Sequence, residues 1–372
     1  MIPIHTKRLL NLFCKLVSID SPSRGERAVA DFLKQKFAAI GITLYEDTAA
    51  AQIGGTCGNL YGYLDGSLPL PPLLFCAHMD TVEPSSNKRM ITHEDGTITS
   101  DGSTVLGADD AAALAVILEA LTVLQEENLP HRPIELLFTA AEEPYCVGIQ
   151  AFDFSVLRSK EAYVFDLTGS VGSAALQAPT ILSFRAEFIG KSAHAGFSPE
   201  SGIHAIQAAA QAAASIPNGR IDDVTVNIGT ISGGVSNNIV PPNCVFTGEI
   251  RSYSDAHALE QLEHLAQLCR ETAQQCGAQV SVTSTRHVTA YCTDKSHSVV
   301  RRFTNACERI GLSPQLCATF GGSDNNHLVQ HGITGIVPAT AMNQCHTCQE
   351  YTTVQELERA AQLAAALMTS KE

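Results

Sequence analysis

The sequence predicts an α/β protein in which helices surround a mixed, mainly parallel sheet, with a smaller α+β domain inserted into the chain. Three observations predict this fold class. Short apolar runs alternate with helical patterns toward both ends of the chain. The middle segment reads strand, helix, strand, strand, helix, strand. At ~150 residues per domain, a chain of 372 residues corresponds to about two domains.

Composition and charge exclude several classes of protein. Hydrophobic residues at 45% and charged residues at 17% are typical of a globular chain. The chain has 24 Lys and Arg residues against 38 Asp and Glu residues, which gives a net charge of −14. A nucleic-acid binder is expected to carry a positive charge instead. The apolar stretch at residues 111–124 contains Glu119 and is too short to span a bilayer. No export signal is visible, so we expect a cytoplasmic protein without nucleic-acid or membrane partners.

The predicted elements of the larger domain come from both ends of the chain. Apolar residues at helical spacing predict a helix within residues 1–17. Apolar runs predict buried strands over residues 73–77, 134–139 and 162–165. After the middle segment we expect a helix over residues 298–310, a strand over 333–337 and a last helix to about residue 367. That last helix begins at a capping box formed by Thr353 and Glu356.

The middle segment predicts a ferredoxin-like unit. Its predicted elements are a strand over 181–188, a helix over 202–216, strands over 224–231 and 244–251, a helix over 255–276 and a strand over 279–285. The simplest architecture is a large domain made of residues 1–179 and 290–372, with residues 180–289 inserted as a second domain.

Metal-capable side chains follow the predicted strands of the larger domain. His78 follows the first strand, Glu142 and Glu143 the second, and Asp166 the third. Ligands of α/β sheets bind beyond the carboxyl ends of the strands, so these residues are expected to meet. Singly, each has an ordinary explanation, such as a helix cap for the Asp109-Asp110 pair or a solvated surface for the Glu pair. Jointly, histidine and carboxylate donors predict a zinc-type site.

An ordered set of motifs makes the chain resemble a known family. The motifs are His78-Met79-Asp80-Thr81-Val82, Leu106-Gly107-Ala108-Asp109-Asp110, Glu142-Glu143 with Gly148, Phe165-Asp166, Gly190-Lys191-Ser192-Ala193-His194-Ala195-Gly196, Gly233-Gly234 before Asn238-Ile239-Val240-Pro241, Gly248-Glu249-Ile250-Arg251-Ser252, Gly321-Gly322-Ser323-Asp324 with Asn326, and His346-Thr347 with Glu350. This set resembles the dinuclear zinc exopeptidase family of peptidase T, carboxypeptidase G and succinyl-diaminopimelate desuccinylase. The likeness is greatest to its peptidase T-like members.

The resemblance implies a set of metal ligands. Asp109 would bridge two Zn2+ ions per subunit, with His78 and Asp166 completing one site and Glu143 and His346 the other. Co2+ or Mn2+ are alternative metals. Cys345 and Cys348 flank His346, so a separate thiolate site stays open there. The other cysteines are expected to be free thiols.

The resemblance also implies catalytic and substrate-binding residues. Glu142 would be the general base, and Asp80 would hold His78. His194 of the inserted lid domain would stabilise the oxyanion in the neighbouring site of a homodimer formed through that domain. Arg251 would hold a substrate carboxylate. A lid-loop role for His194 and an internal ion pair for Arg251 stay open. The substrate cleft would be lined by Asn238, Gly322, Ser323 and Asn326.

The function implied by the resemblance is a metal-dependent exopeptidase for short peptides, first of all a tripeptide aminopeptidase. Asp166 favours this branch, because aminopeptidase-like members tend to carry Asp there. A deacylase of N-acyl amino acids, a carboxypeptidase-type member and a non-catalytic metal-binding homologue stay open. The non-catalytic alternative stays open because of one departure from the family pattern. Ala111-Ala112-Ala113 stands where peptidase T-like enzymes usually have Lys-Ala-Gly.

Overall fold

The computed structural model describes residues 2–372 and divides the chain into two compact units. The first unit runs to Gln177 and resumes with Cys292–Thr319 and Ser323–Glu372. The second unit comprises Ala178–Tyr291 and Phe320–Gly322. The segment Phe320–Gly322, which the predicted boundaries place in the larger domain, therefore belongs to the second unit.

A ten-stranded mixed sheet forms the framework of the first unit. Its central strands are parallel, which brings their carboxyl ends to one edge of the sheet. Along the sheet, the strands are Leu44–Glu46, Leu60–Leu64, Ile134–Thr139, Leu73–His78, Glu161–Val164, Thr334–Met342, Ser173–Ala178 and Tyr291–Cys292, with Leu167–Thr168 and Gln315–Ala318 beside this path. A separate small sheet contains Ile91–Thr92, Thr97–Thr99 and Tyr351–Thr353.

Helices cover the sheet of the first unit. They are Thr6–Val17, Arg27–Ala39, Ala49–Ile53, Ala108–Glu126, Val147–Gln150, Ser298–Arg309, Asp324–Gln330 and Val354–Met368, with a 3-10 turn at Phe154–Val156. The helix Ala108–Glu126 is buried on nearly all sides, between the first and last of these helices and the sheet. That position explains its continuous apolar sequence. Among residues 2–372, no helix combines the length and the apolar character needed to cross a bilayer.

The second unit has the predicted ferredoxin-like order of elements, with an additional edge strand. Its antiparallel sheet runs Gly219–Ile221, Val224–Gly233, Asn243–Ser252, Thr180–Ile189 and Gln279–Val288. Its helices are Ala205–Ser215 and Asp255–Gln275, with a 3-10 turn at Pro199–Ser201. Alternate side chains of the strand Thr180–Ile189, among them Phe184 and Phe188, pack against the alanines of the first helix. One face of the sheet is thereby covered.

The predicted fold class is confirmed, and the differences have local causes. The edge strand Gly219–Ile221 is short and fully exposed, so its sequence carries no alternation of apolar and polar residues. The strand Thr334–Met342 extends past the predicted end at residue 337. Pro338, the first residue past the predicted end, lies within the buried strand, opposite Ala174. The cap of the last helix is present, since Thr353 Oγ1 accepts a 3.1 Å hydrogen bond from Glu356 N.

One buried ion pair ties the first helix to the central helix. Glu119 is fully buried and accepts hydrogen bonds from Arg8 Nε at 2.6 Å and Arg8 Nη2 at 3.0 Å. The backbone N–H of His5 donates to the same carboxylate at 3.0 Å. Glu119 therefore has partners for its charge only while the first helix is docked.

We predict that Arg8→Met lowers the free energy of unfolding by about 3 kcal/mol, because it leaves a buried carboxylate without its cation. The double variant Arg8→Met/Glu119→Met should recover most of that loss, since an apolar pair replaces the ion pair. Urea unfolding followed by circular dichroism measures both. A single variant as stable as the wild type would contradict the assigned role of this pair.

Candidate metal centre

The parallel strands bring the predicted ligands to one edge of the sheet. His78 is the last residue of its strand, and Asp166 lies two residues beyond the next strand along the sheet. Glu143 and His346 lie on the loops that follow two other strands of the parallel set. Residues far apart in the chain therefore meet because their strands run in the same direction.

Asp109 lies at the centre of this cluster. Its Oδ1 is 2.9 Å from Nε2 of His78, and its Oδ2 is 3.3 Å from Nε2 of His346. The same His78 nitrogen is 3.9 Å from Oδ1 of Asp166, and the His346 nitrogen is 3.1 Å from Oε2 of Glu143. The five residues thus form two groups with metal-ligand geometry, and Asp109 is a member of both.

The start of the central helix is shaped to present Asp109. Gly107 has a left-handed φ of 76°, and the backbone is non-helical at Asp109 and Asp110. The buried carboxylate of Glu350 accepts hydrogen bonds from Gly107 N at 2.7 Å and Asp109 N at 3.0 Å. Asp110 Oδ2 accepts the backbone N–H of His78 at 3.0 Å. Two ligands are therefore fixed through their own backbone groups.

Asp80 connects His78 with the loop that carries the glutamates. Its fully buried carboxylate lies 3.4 Å from Nδ1 of His78, facing the ring nitrogen opposite the metal-ligand side. Its two oxygens accept the backbone N–H of Glu142 at 2.9 Å and of Glu143 at 3.2 Å. Ser23 Oγ donates a further bond at 2.7 Å. Asp80 therefore orients one ligand and the segment bearing another.

Glu142 is buried beside the two ligand groups and belongs to a further one. The thiol of Cys146 donates to Glu142 Oε1 at 3.1 Å. Glu142, Cys146 and Asp324 together form a third group with ligand-like spacing. Asp324 in turn accepts a bond from Thr139 Oγ1 at 2.5 Å. Asp324 belongs to a sequence motif that the resemblance implies for the substrate cleft, whereas no motif in the sequence marks Cys146.

Burial and like charge raise the pKa values of four acids of the cluster. Burial is the largest cause for Glu142, Glu143 and Asp166, and neighbouring carboxylates raise each pKa further. Burial likewise raises the pKa of Asp324, to about 6. A divalent cation at this edge would relieve the repulsion that produces these shifts, so the residues fit a metal.

The two histidines and Asp109 are stabilised in their charged forms. Burial would raise the pKa of Asp109, but its bonds with His346 and His78 outweigh burial and lower it. Those bonds to Asp109 and Glu143 raise the pKa of His346 to about 10. Burial disfavours the charged form of His78, yet its contacts with Asp109 and Asp80 raise its pKa above the usual value. These histidines must lose protons before they can bind a metal.

His194 lies on a loop of the second unit, where its tautomer is defined. Its Nδ1 accepts the backbone N–H groups of Gly196 at 3.1 Å and Phe197 at 3.2 Å. Nδ1 therefore carries no proton, and the neutral ring presents an Nε2–H donor. The ring also stacks on Phe197, with centroids 4.1 Å apart. The backbone carbonyl of Asn238 accepts a bond from Ala195 N at 2.9 Å, which joins the two predicted segments.

Arg251 is engaged within the second unit. Its Nε and Nη2 donate to the two carboxylate oxygens of Glu249 at 2.8 and 3.2 Å, and Nη1 donates to the carbonyl of Phe320 at 2.7 Å. The internal pair left open by the sequence is thus the arrangement observed. Gly322 lies close to Ile181, because an added Cβ would meet that side chain at 3.0 Å.

Ser323 and Asn326 cap the helix Asp324–Gln330. Ser323 Oγ accepts the backbone N–H of Asn325 at 3.3 Å, and Asn326 Oδ1 accepts the N–H of Ser323 at 3.1 Å. Both residues are buried. In this structure they hold the helix that carries Asp324 at its first turn.

The departure at Ala111-Ala112-Ala113 leaves the ligand cluster intact. Ala112 and Ala113 are fully buried in the core of the first unit, and Ala111 is partly buried against it. The side chain at position 113 therefore serves packing of the central helix. The Asp109 contacts form one turn earlier and do not involve these alanines.

Comparison with known proteins places the chain in a family. A family model described as Peptidase family M20/M25/M40 matches residues 74–370. The chain belongs to this peptidase family. The predicted likeness to peptidase T is confirmed, because a curated relative is named Peptidase T and two solved relatives are named tripeptidase and aminopeptidase PepT.

Two solved structures and one curated relative are similar to this M20 peptidase over nearly its full length. A tripeptidase from Staphylococcus aureus subsp. aureus Mu50 is 32% identical, with a TM-score of 0.94 and 98% of each chain covered. Aminopeptidase PepT from Bacillus cereus ATCC 10987 is 36% identical, with a TM-score of 0.90 and 98% of each chain covered. The Bacillus subtilis (strain 168) protein YqjE is 36% identical over 366 residues, 98% of each chain.

We predict that the metal-depleted protein is stabilised by added divalent metal, by about 2.7 kcal/mol at a free concentration 100 times the Kd. At one fixed metal concentration, the stabilisation should be smaller at pH 6 than at pH 8, because the raised pKa values of Glu143, Asp166 and His346 make protons compete with the metal. Thermal unfolding with and without Zn2+ measures the effect. Asp109→Asn should abolish it and the exposed control Asp65→Asn should not; equal shifts in both would count against the site.

Proposed function

We propose that the protein is a metal-dependent aminopeptidase that removes the N-terminal residue of short peptides, with tripeptides as preferred substrates. One observation carries the proposal: each carboxylate oxygen of Asp109 lies beside the histidine of a different ligand group. A carboxylate in that position suits two metal ions at one site. The names tripeptidase and aminopeptidase, borne by relatives at 32% and 36% identity, support the substrate class.

Zn2+ is the metal that the donor set favours. Histidine nitrogen mixed with carboxylate oxygen is typical of catalytic zinc sites, and Co2+ or Mn2+ accept the same donors. His78 and Asp166 would hold one ion, Glu143 and His346 the other, and Asp109 both. When bound there, the ions would supply Lewis acidity toward the peptide carbonyl and favour deprotonation of the attacking water.

Glu142 is the proposed general base. Its Oε1 accepts a hydrogen bond from the Cys146 thiol, which leaves Oε2 for the attacking water. Its carboxylate would take a proton from that water as the oxygen attacks the carbonyl carbon. The same proton would then pass to the amine nitrogen as the peptide bond breaks, which balances the hydrolysis. Asp80 keeps Glu142 in place by accepting its backbone N–H.

The second unit is proposed to contribute substrate contacts. The Nε2–H of His194 is a neutral donor of the kind that stabilises an oxyanion. We propose that it does so in the neighbouring subunit of a homodimer formed through this unit. Asn238, Gly322, Ser323 and Asn326 would line the cleft. Arg251 would bind a substrate carboxylate only by exchanging its contact with Glu249.

We predict that Glu142→Gln lowers kcat for a tripeptide by about 10³-fold, because the amide cannot accept the proton. Bound metal, measured by elemental analysis, should stay at the wild-type level, since Glu142 is outside the five-residue ligand set. The exposed residue Glu127 offers a matched control in Glu127→Gln, which should keep full activity. Wild-type turnover in Glu142→Gln would refute the proposed base.

We predict that blocking the amino terminus of a tripeptide by acetylation prevents hydrolysis, whereas amidation of its carboxyl terminus does not. An aminopeptidase must recognise the free amine next to the bond that it cleaves. Mass spectrometry of the products identifies the released residue. Release of acetate would instead indicate the deacylase alternative, and release of the C-terminal residue the carboxypeptidase alternative.

A further inference from the structure

The loop before the glutamates is held by side chains through four consecutive backbone amides. The N–H of Ala140 donates to Asn59 Oδ1 at 3.1 Å, and the N–H of Ala141 donates to Glu26 Oε1 at 2.9 Å. The next two amides are those that donate to Asp80. Three of these four amides therefore donate to buried carboxylates, and that of Ala140 donates to an amide oxygen.

Glu26 is an unusual member of this set, because nothing in the proposed chemistry uses it. It is fully buried at the start of the helix Arg27–Ala39. Its Oε1 accepts a second bond from Arg24 N at 2.6 Å, whereas Oε2 has no hydrogen-bond partner in the described part of the chain. Burial, and then the charge of Asp80, raise its pKa. A buried carboxyl group with an unsatisfied oxygen lowers stability, so its position calls for a functional reason.

The backbone at Ala141 gives that reason. Ala141 has a φ of 49°, in the left-handed region that is unfavourable for a residue with a Cβ. Glu142 follows directly, so the direction of its side chain depends on this conformation. The bond from Ala141 N to Glu26 stabilises the strained backbone. Without an acceptor, the buried N–H of Ala141 would lose its hydrogen bond, and the loop would relax to satisfy it elsewhere.

We propose that Glu26 is a positioning residue for catalysis, which sets the direction of Glu142 by holding the amide of Ala141. This inference rests on the proposed function, since it takes Glu142 as the base. Glu26 reaches the loop from another segment of the chain, 115 residues away in sequence. Its contact is with backbone, so it acts on the geometry of the loop and not on the substrate.

The variants Glu26→Met and Glu26→Gln distinguish the effect of the hydrogen bond to Ala141 N from the effect of filling the buried position. Met has a similar size but no acceptor, so kcat for a tripeptide should fall about 10- to 100-fold while KM changes less than about twofold. Gln keeps an oxygen at the Oε1 position, so kcat should stay within about threefold of the wild type. Should the Met variant fail to fold, Glu26→Asp serves the same test, because its shorter side chain withdraws the acceptor.

A matched control lies at the other end of the strand that leads into the loop. Glu135 is also fully buried and also holds a loop backbone, by accepting Arg158 N at 3.0 Å and Ser159 N at 2.6 Å. Glu135→Met should therefore destabilise the protein to a similar degree and leave kcat unchanged. Equal losses of kcat in Glu26→Met and Glu135→Met would show a general effect of stability and overturn the proposal.

Hydrogen exchange gives a readout that does not depend on turnover. Amides of residues 139–146 should exchange faster in Glu26→Met than in Glu26→Gln, the wild type or Glu135→Met. Unchanged exchange, or an unchanged kcat in Glu26→Met, would overturn the positioning role. A wild-type protein that cleaves no peptide while the exchange pattern holds would refute the proposed function alone and leave the contact established.

Discussion

Repulsion between buried carboxyl groups is the constraint on which the rest of this structure depends. Acids gathered at one edge of a sheet cannot share that edge unless each receives a proton, a cation or hydrogen bonds. Asp109 has two histidines, Asp80 has two backbone amides and a hydroxyl, and Glu350 has two amides. These polar contacts hold the side chains of the site in place, while apolar packing holds the strands and helices that position those side chains.

The fold, and the meeting of the candidate ligands at one edge of its sheet, could be predicted from strand patterns and ordered motifs. Apolar runs define the strands, and parallel strands end at a common edge, so His78 and Asp166 were expected to meet before any contact was known. The apolar stretch at residues 111–124 forms most of the buried helix Ala108–Glu126. The order of motifs added the pairing of Glu143 with His346, which periodicity alone could not supply.

The residues that the sequence did not reveal act through contacts that depend on the folded path of the backbone. Glu26 bonds a backbone amide 115 residues away, and Cys146 reaches Glu142 only because the loop between them turns back on itself. Neither contact leaves a pattern in the local sequence. Arg251 differs in kind: its motif was visible, but whether the guanidinium faces a substrate or Glu249 depends on rotamers that no spacing encodes.

The bond from Asp109 N to Glu350 joins residues 241 positions apart, and a whole ferredoxin-like unit lies between them in the chain. The core of the first unit spans the same insertion, because the helix Val354–Met368 packs on the helix Ala108–Glu126. Site and core therefore depend on the same joining of the two parts of the chain that flank the inserted unit. A chain that lacked the part after the insertion would retain His78, Asp109 and Asp166 but not His346 or Glu350.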